Sequence, residues 1–405
     1  MIKCWQSMDE YHHFLNEMKV LFDPSERARM HHELWIPWQK LRSFDTDRAM
    51  RFLEPRYSPT GRPAINQPQI LRSFILFFLL IAQGLIPLSL TLWIRRLKAD
   101  RVLAAVLPSL ELDIIPDEGL TVSGDGTAVH THANPYGHHQ KDCSKMSPDE
   151  IRQAPRHYAD PDASWGHDSD LDKSYYGYTL FHLSCHNSSL HVDVPLLLRF
   201  TSAARHDSVS FLVAFSEMEK HLPGIRPQNI CLDSAMDNYP TYNLLKDRKI
   251  SAFIDLNAGR GRPKSVPDSI TIDKNGTPVC SAGFKMVPNG FDKSNSTMMW
   301  RCPYGQNHKC KCPQSCTESE YGRVIKTKPE WDIRLYTDVP RRTEAYKKIY
   351  NQRTATERIN NRILNDYKLH RMMIHTRKHY SFFATMIGIC IHLDARYKQS
   401  VNAAA

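Results

Sequence analysis

Residues Gly119–His132 read GLTVSGDGTAVHTH, and small and β-prone residues alternate along them until the chain breaks at NPYG, residues 134–137. Such alternation predicts a β-strand. Asp125 stands inside it between two glycines, and because Asp-Gly is also a strong turn dipeptide, a hairpin turn is the alternative interpretation. The β-prone residues on both sides of Asp125 favour the strand.

The segments that follow alternate between strand and helix patterns. Residues 175–186 and 190–203 are β-prone, and residues 208–222 have helical apolar spacing. Residues 228–248 read as a strand, a turn and a helix, and residues 249–257 as a further strand. This order of elements predicts a mixed α/β sheet.

Four regions differ in composition. Residues 1–115 carry helical apolar patterns, including an amphipathic stretch at 90–107, and predict an all-α N-terminal domain. Residues 116–257 hold the sheet. Residues 258–335 are rich in Gly, Pro, Asn and Cys and predict a β-rich insertion, while residues 336–405 are again helical.

The chain of 405 residues has a formal net charge of +10, and 41% of its residues are hydrophobic. The balance is typical of a globular protein, and the basic excess favours a polyanionic partner, DNA or RNA. The N-terminus has no apolar signal segment, and Ile75–Ala82 is too short to span a bilayer. We therefore expect a cytoplasmic protein without a membrane partner.

Five of the ten cysteines lie between Cys280 and Cys316. In a reducing compartment, clustered thiols indicate a metal more often than disulfides. Four thiolates make a structural zinc site, and the preferred quartet is Cys280, Cys302, Cys312 and Cys316. The spacing is not a pair of CxxC motifs, so buried or surface thiols without a metal remain an equal alternative.

Three acidic residues stand in positions suited to chemistry. Asp233 ends the apolar strand NICLD, at the strand end where α/β sheets gather binding groups. A helix cap or turn is the alternative for Asp233, and Asp237 is a nearby competitor. Glu357 lies on a basic helix, where Tyr350, Arg353 and Glu357 share a face; its alternative is a solvated surface glutamate.

Two aspartates on strands and a glutamate on a following helix can bind two divalent cations. Mg²⁺ prefers hard oxygen ligands. A pair of such ions stabilises both the attacking and the leaving oxygen of a phosphodiester displacement. Basic residues around Glu357 would hold a DNA backbone against the metals.

The sequence resembles the DDE transposases of bacterial insertion sequences. SGDGT at 123–127 and CLDSAMDNYPTY at 231–242 resemble the segments with the first and second aspartates. YNQRTATE at 350–357 matches the Tyr, Arg and Glu of the Y-x2-R-x3-E-x6-K signature, and residues 61–80 resemble an N-terminal helical domain. The signature lysine is absent, because position 364 is Leu364.

The resemblance implies an RNase H-like core and roles for individual residues. Asp125, Asp233 and Glu357 would hold Mg²⁺ or Mn²⁺. Tyr350 and Arg353 would contact phosphates. Lys368, at helical spacing from Glu357, would take the role of the missing lysine, with Arg362 as its alternate.

The implied reaction is nicking at a transposon end, then attack of the freed 3′-OH on target DNA. The partners would be double-stranded DNA, as terminal inverted repeats and target, and a second copy of the chain in a synapsed homodimer; the location would be cytoplasmic and nucleoid-associated. The rivals are an RNase H-fold nuclease and a catalytically inactive, transposase-derived DNA-binding protein. The doublet His206-Asp207 could indicate a phosphohydrolase, but it lacks partner doublets.

Overall fold

The computed structural model of this chain describes residues 7–18, 35–56, 67–83, 114–116, 119–140, 146–168, 171–257, 265–292, 294–306, 309–310, 317–319, 321–341 and 343–404. The expected helix at 90–107 lies outside these residues. Within them the architecture is mixed α/β, with helices packed on a mixed sheet.

Strands of 2 to 15 residues lie along the middle of the chain. In chain order they are β1 (Thr121–His130), β2 (His138–His139), β3 (Arg156–His157), β4 (Ser164–Asp168), β5 (Lys173–Asn187), β6 (Val192–Ser202), β7 (Asn229–Leu232), β8 (Ser251–Ile254), β9 (Thr271–Ile272), β10 (Pro278–Val279), β11 (Val287–Asp292), β12 (Thr297–Arg301), β13 (Gly305–Gln306), β14 (Lys309–Cys310) and β15 (Val324–Thr327).

Helices precede, separate and follow the strands in sequence. They are α1 (Met8–Met18), α2 (35–43), α3 (Thr46–Leu53), α4 (Gln67–Ala82), α5 (Pro148–Gln153), α6 (Asp207–His221), α7 (Tyr239–Asp247), α8 (Glu344–Tyr350), α9 (Thr354–Asn361) and α10 (Arg377–Ala404). A 3₁₀ turn, Asn351–Arg353, joins α8 to α9, and a π-helical segment, Arg362–Asp366, follows α9. No helix in the described ranges is long and apolar enough to cross a membrane.

The six-stranded central sheet is organised around β1. This strand pairs antiparallel with β5 on one side and parallel with β7 on the other, and β8 continues parallel to β7. Both β4 and β6 pair with β5 along the edge opposite β1. The mixed sheet expected from the sequence is thus confirmed, and its strands and helices lie in the expected segments.

Alternate residues of β5 point to opposite faces of the sheet, as strand geometry requires. Tyr178 and Leu180 lie in a core with α9, α10 and the N-terminal helices, while Phe181 and Leu183 lie in a second core with α6. In the first core the apolar α4 packs against α10, and Ile75 is fully buried. Burial explains the apolar run that is too short for a bilayer.

Strands β9 to β15 form small antiparallel sheets, including β11, β12 and β15 in a three-stranded one. Cys280 and Cys302 are buried there. Cys312 and Cys316 lie outside the described residues, so the zinc quartet stays a prediction.

Two features differ from expectation. After the break at residues 134–137 the sequence predicted its next strand at 175–186, whereas the structure has the β2–β3 pair and the edge strand β4 before it. The C-terminal helical region is also broken at 367–376, between the π-helical segment and α10. The short strands β2, β3 and β4 are mostly polar, and residues 367–376 include a 3₁₀ turn at Leu369–Arg371. Short strands and helix ends leave little periodic signal.

The pairing of β1 with β5 depends on Gly177, which faces His130 in the register. A Cβ atom at this position would collide with the carbonyl oxygen of Val129. We expect Gly177→Ala to lower the free energy of unfolding by about 1–3 kcal/mol, since the backbone must shift to admit the methyl group. Denaturant unfolding measures the change.

Gly224→Ala is the matched control, because nothing lies within 4 Å of the added Cβ. Equal losses in the two variants would contradict this view of Gly177.

Candidate active site

Asp125 lies in the middle of β1, which confirms the strand and excludes the hairpin turn. The two glycines beside it allow close approach from the opposite face of the sheet. A Cβ on Gly124 would lie 2.8 Å from Leu232 Cδ2, and one on Gly126 would lie 2.7 Å from Asp207 Oδ1. The small residues therefore let neighbouring elements pack tightly around the strand that carries Asp125.

Asp233 directly follows β7, the parallel neighbour of β1. Its backbone is extended, and its Oδ1 accepts a hydrogen bond of 2.9 Å from the amide of Ala235. The carboxylate thus caps the 3₁₀ turn Ser234–Met236. Capping and a position beside Asp125 occur together, so the cap does not exclude a role in chemistry.

The competitor Asp237 is committed to the fold. It is fully buried, and Arg334 donates to both of its oxygens, with Nε–Oδ1 at 3.0 Å and Nη2–Oδ2 at 2.5 Å. The amide of Asn257 also donates to Oδ2 at 2.8 Å. With both oxygens engaged, Asp237 is less suited than Asp233 to bind a ligand.

Glu357 lies in the first turn of α9, on the side of the sheet that Asp125 faces. Its side chain is 56% exposed, and Oε1 lies 2.9 Å from Arg353 Nη2. The next residue, Arg358, donates two hydrogen bonds of 2.6 and 2.8 Å to the carboxylate of Asp193 of β6. A double bond of this kind orients the helix, and hence Glu357, relative to the sheet.

The carboxylates influence one another. Burial, followed by repulsion from Asp233, raises the pKa of Asp125 to about 7, and Asp207 adds to the rise while Arg353 opposes it. Burial and then Asp233 also raise the pKa of Asp207. The site therefore concentrates negative charge in a partly desolvated place.

The donor chemistry of this site fits a hard divalent cation. Carboxylate oxygens are the ligands that Mg²⁺ prefers, and a cation would relieve the repulsion that raises the pKa of Asp125. In the part of the chain that the structure describes, no three His, Cys, Asp or Glu side chains converge as a complete metal site. Glu357 is engaged by Arg353.

Comparison with known proteins identifies the family. Residues 122–393, about two thirds of the chain, match the family model of the transposase DDE domain. The chain belongs to the DDE transposase family. No curated protein matches it. Among solved structures, the piggyBac transposase synaptic complex with hairpin DNA, determined by cryo-electron microscopy, is similar over 91% of this chain and 76% of that chain, with 14% identity and a TM-score of 0.38.

The DDE domain runs from β1 into α10 and contains Asp125, Asp233 and Glu357. Its expected phosphate contacts lie at the junction of α8 and α9. Arg353 ends the 3₁₀ turn and faces Glu357, whereas the hydroxyl of Tyr350 is buried. Burial, followed by the neighbouring Asp255, raises the pKa of Tyr350. Arg353 is thus the better placed of the two to reach a phosphate.

The expectation that an α-helix continues from Glu357 to Lys368 on one face is wrong. In this DDE domain α9 ends at Asn361, and Lys368 has the left-handed backbone conformation, with φ of 58°. The π-helical segment between them shifts the register of side chains. The alternate residue, Arg362, forms an ion pair with Asp394 of α10.

The sequence did not indicate two neighbours of Asp125, one that binds it and one that acts on it through charge. Asn360 of α9 donates from Nδ2 to Asp125 Oδ2 at 3.2 Å, and its Oδ1 lies 2.9 Å from Nε2 of the buried His182. Asp207, in the doublet set aside as a weak signal, begins α6 and lies against Gly126. The strand register could have indicated His182, because it faces Asp125 across β1 and β5.

Asp233 and Asp237, the two candidates for the second aspartate of the triad, should contribute differently to stability. We expect Asp237→Ala to reduce the free energy of unfolding by about 3–5 kcal/mol, because it leaves the guanidinium of Arg334 buried without its partner. Adding Arg334→Met should restore part of the loss. Asp233→Ala, measured in the same urea titration, should lose far less; a reversed order would contradict the assignment.

The pKa of Asp125 predicts a pH-dependent penalty on folding without metal. The unfolded carboxylate ionises near pH 3.8 and the folded one near pH 7. The penalty is therefore absent below about pH 4, grows up to pH 7 and then stays constant. Asp125→Asn removes it.

We expect Asp125→Asn to raise the thermal midpoint at pH 8 by on the order of 10 °C, since a pKa raised from 3.8 to about 7 corresponds to roughly 4 kcal/mol and each kcal/mol shifts the midpoint by roughly 2–4 °C. The gain should vanish at pH 4. Scanning calorimetry in EDTA checks both values. In a second series without EDTA, 10 mM Mg²⁺, on the order of ten times a millimolar Kd, should raise the thermal midpoint of the wild type only. A gain that is constant with pH would contradict the prediction.

Proposed function

We propose that this DDE transposase cleaves the ends of a transposon and joins the freed 3′-OH to target DNA by two-metal-ion phosphodiester chemistry. The observation that carries the proposal is the placement of three acidic residues on neighbouring elements. The neighbouring parallel strands β1 and β7 hold Asp125 and Asp233, and α9 carries Glu357 on the side of the sheet that Asp125 faces.

An RNase H-like core is part of this proposal. The order β6-β5-β1-β7-β8, with the first three strands antiparallel and the last two parallel to β1, supports it. So does the placement of helices on both faces. We further propose that residues 1–115 form a helical DNA-binding and dimerisation region, and that residues 258–335 form an insertion, with zinc at its cysteines.

Asp125, Asp233 and Glu357 would hold Mg²⁺ or Mn²⁺. Bound cations would supply charge stabilisation for the attacking and leaving oxygens. Arg353 lies near Asp125 and also binds Glu357, so it can hold Glu357 until a phosphate competes for the guanidinium. Release of Glu357 toward the aspartates would then be coupled to the arrival of DNA.

The two chemical steps balance without a covalent protein intermediate. In the first, the oxygen of water bonds to phosphorus and the bond to the 3′ oxygen breaks, which leaves a 3′-OH on the transposon end. In the second, that hydroxyl attacks a target phosphodiester, and the target's own 3′ oxygen leaves. The chain's contribution is to orient the phosphate and exclude competing geometries.

Basic residues near Glu357 would bind the DNA backbone. Arg353 is the strongest of these, and Tyr350, Lys368 and Arg362 are the further candidates. Arg362 would have to exchange its partner Asp394, and Lys368 would act from the turn after the π-helical segment. The net charge of +10 favours duplex DNA as the partner. We further propose that a second copy of the chain binds the other transposon end.

A bacterial insertion sequence with a YREK-type signature is the finer proposal for the source of this chain. Tyr350, Arg353 and Glu357 support the signature, and Leu364 departs from it. Short inverted repeats bracketing the gene would support an insertion sequence, and their absence would oppose it.

The test of the proposed function is metal-dependent cleavage followed by strand joining. Asp125→Ala, Asp233→Ala and Glu357→Ala should each reduce cleavage of end-containing DNA by at least about 10³-fold, because each removes a ligand needed in the transition state. Binding of the same DNA, measured by fluorescence anisotropy, should persist. Glu344→Ala is the matched control, since Glu344 is an exposed helical glutamate paired with Lys347.

The same assay distinguishes the two alternative functions from the proposed one. An RNase H-fold nuclease would cleave without joining strands, and an inactive DNA-binding derivative would cut nothing in Mg²⁺ or Mn²⁺. Either result from the wild type would overturn the proposal.

A further inference from the structure

We propose that Asn360 and His182 hold the Asp125 carboxylate and α9 in one relative position, and that this contact sets the affinity of the site for its divalent cation. The inference rests on the proposed function, because it assumes that Asp125 is a metal ligand. Neither residue belongs to the acidic triad, and each would be a positioning residue.

Two hydrogen bonds of Asn360 link the sheet to α9, and a third lies behind them within β5. Asn360 Nδ2 donates to Asp125 Oδ2 at 3.2 Å, and Asn360 Oδ1 lies 2.9 Å from His182 Nε2. His182 Nδ1 lies 3.1 Å from Ser184 Oγ. His182 and Ser184 are both fully buried on β5, and His182 faces Asp125 in the strand register.

The direction of each bond follows from the carboxylate. Ionised Asp125 can only accept, so the NH₂ group of Asn360 faces it and the amide carbonyl faces His182. The imidazole must then carry its proton on Nε2, and Nδ1 accepts from the hydroxyl of Ser184. The opposite orientation of the amide would place two acceptors against each other.

Burial keeps this arrangement in a single protonation state. It lowers the pKa of His182 to about 4, although the bond to Asn360 opposes the fall. The imidazole is therefore neutral at physiological pH, with one tautomer fixed by its partners. Arg358 and Asp193 lie on neighbouring elements but bind each other, so they do not compete for His182.

The contact ties two ligands together. Asn360 is three residues after Glu357, so both lie on the same turn of α9. The helix turn that presents Glu357 is thus the turn that grips Asp125. Outer-shell partners of this kind orient ligands, and their removal typically costs about 10–100-fold in metal affinity.

A different result is expected if the contact between Asn360 and His182 only stabilises the fold. The protein would lose stability when Asn360 or His182 is changed, but the affinity for metal would stay the same. Metal affinity and thermal midpoint must therefore be measured on the same samples.

The experiment measures Mn²⁺ binding to the full-length protein without DNA, by electron paramagnetic resonance. We expect Asn360→Ala to weaken Mn²⁺ binding by about 10–100-fold. His182→Leu should also weaken it, whereas His182→Gln, which keeps a donor near Nε2, should stay within about threefold. The double variant Asn360→Ala with His182→Leu should be no weaker than Asn360→Ala, because both act through one contact.

Asn361→Ala is the matched control. Asn361 is exposed, adjacent in sequence, and accepts a hydrogen bond from Asn365 at 2.7 Å. It should leave Mn²⁺ affinity unchanged. Should His182→Leu fail to fold, the half-buried Asn360→Ala still decides the comparison.

Two outcomes would overturn the proposal. One is Mn²⁺ affinity within threefold of wild type in Asn360→Ala, and the other is no Mn²⁺ binding by the wild type. Failure of the proposed function is a separate result: the wild type would bind Mn²⁺ and respond to Asn360→Ala, yet cleave no end DNA.

Discussion

A half-buried carboxylate on the central strand, Asp125, is the constraint around which the site is arranged. Asp125 cannot sit in the sheet without a donor, a cation or a proton, since burial of an unpaired charge is unfavourable. The protein supplies a donor from Asn360 and places Arg353 nearby. Burial and repulsion from neighbouring carboxylates still raise the pKa of Asp125, and a bound divalent cation would offset both.

The position of α9 follows from the same constraint. Its side chains reach three strands of the sheet: Asn360 to β1 and β5, and Arg358 to β6. The 3₁₀ turn before it rests on β1, where Ser123 Oγ donates to the carbonyl of Gln352 at 3.4 Å. A helix anchored at several points presents Glu357 with little freedom, which is what a preorganised site requires.

The sequence predicted those parts of the site that depend on a local pattern of residues. Alternation around Asp125 predicted a strand, the apolar run before Asp233 predicted another, and the spacing of Tyr350, Arg353 and Glu357 predicted a shared helical face. Each of these signals lies within a few residues. The fold class followed from the order of such segments, and the order of the strands β1, β5, β6, β7 and β8 bears it out.

The missing parts depend on contacts between distant segments. His182 and Asn360 are 178 residues apart, and Asp237 and Arg334 are 97 apart, so no local pattern reveals either pair. The position expected for Lys368 was wrong for a different reason. Helical spacing predicted it, but the residues before it form a π-helix and Lys368 itself has a left-handed backbone. Extra residues in a helical turn shift the face on which later side chains lie.

That π-helical segment also connects the site to the N-terminal helices. Asp394 of α10 binds Arg362 from the segment, Tyr367 from the turn after it and Lys40 from α2. Because α9 runs directly into this segment, the last turn of the helix that carries Glu357 is fixed by the same carboxylate that holds α2. Asp394 therefore joins α2, α10 and the segment after α9 through side chains alone, without passing through the sheet.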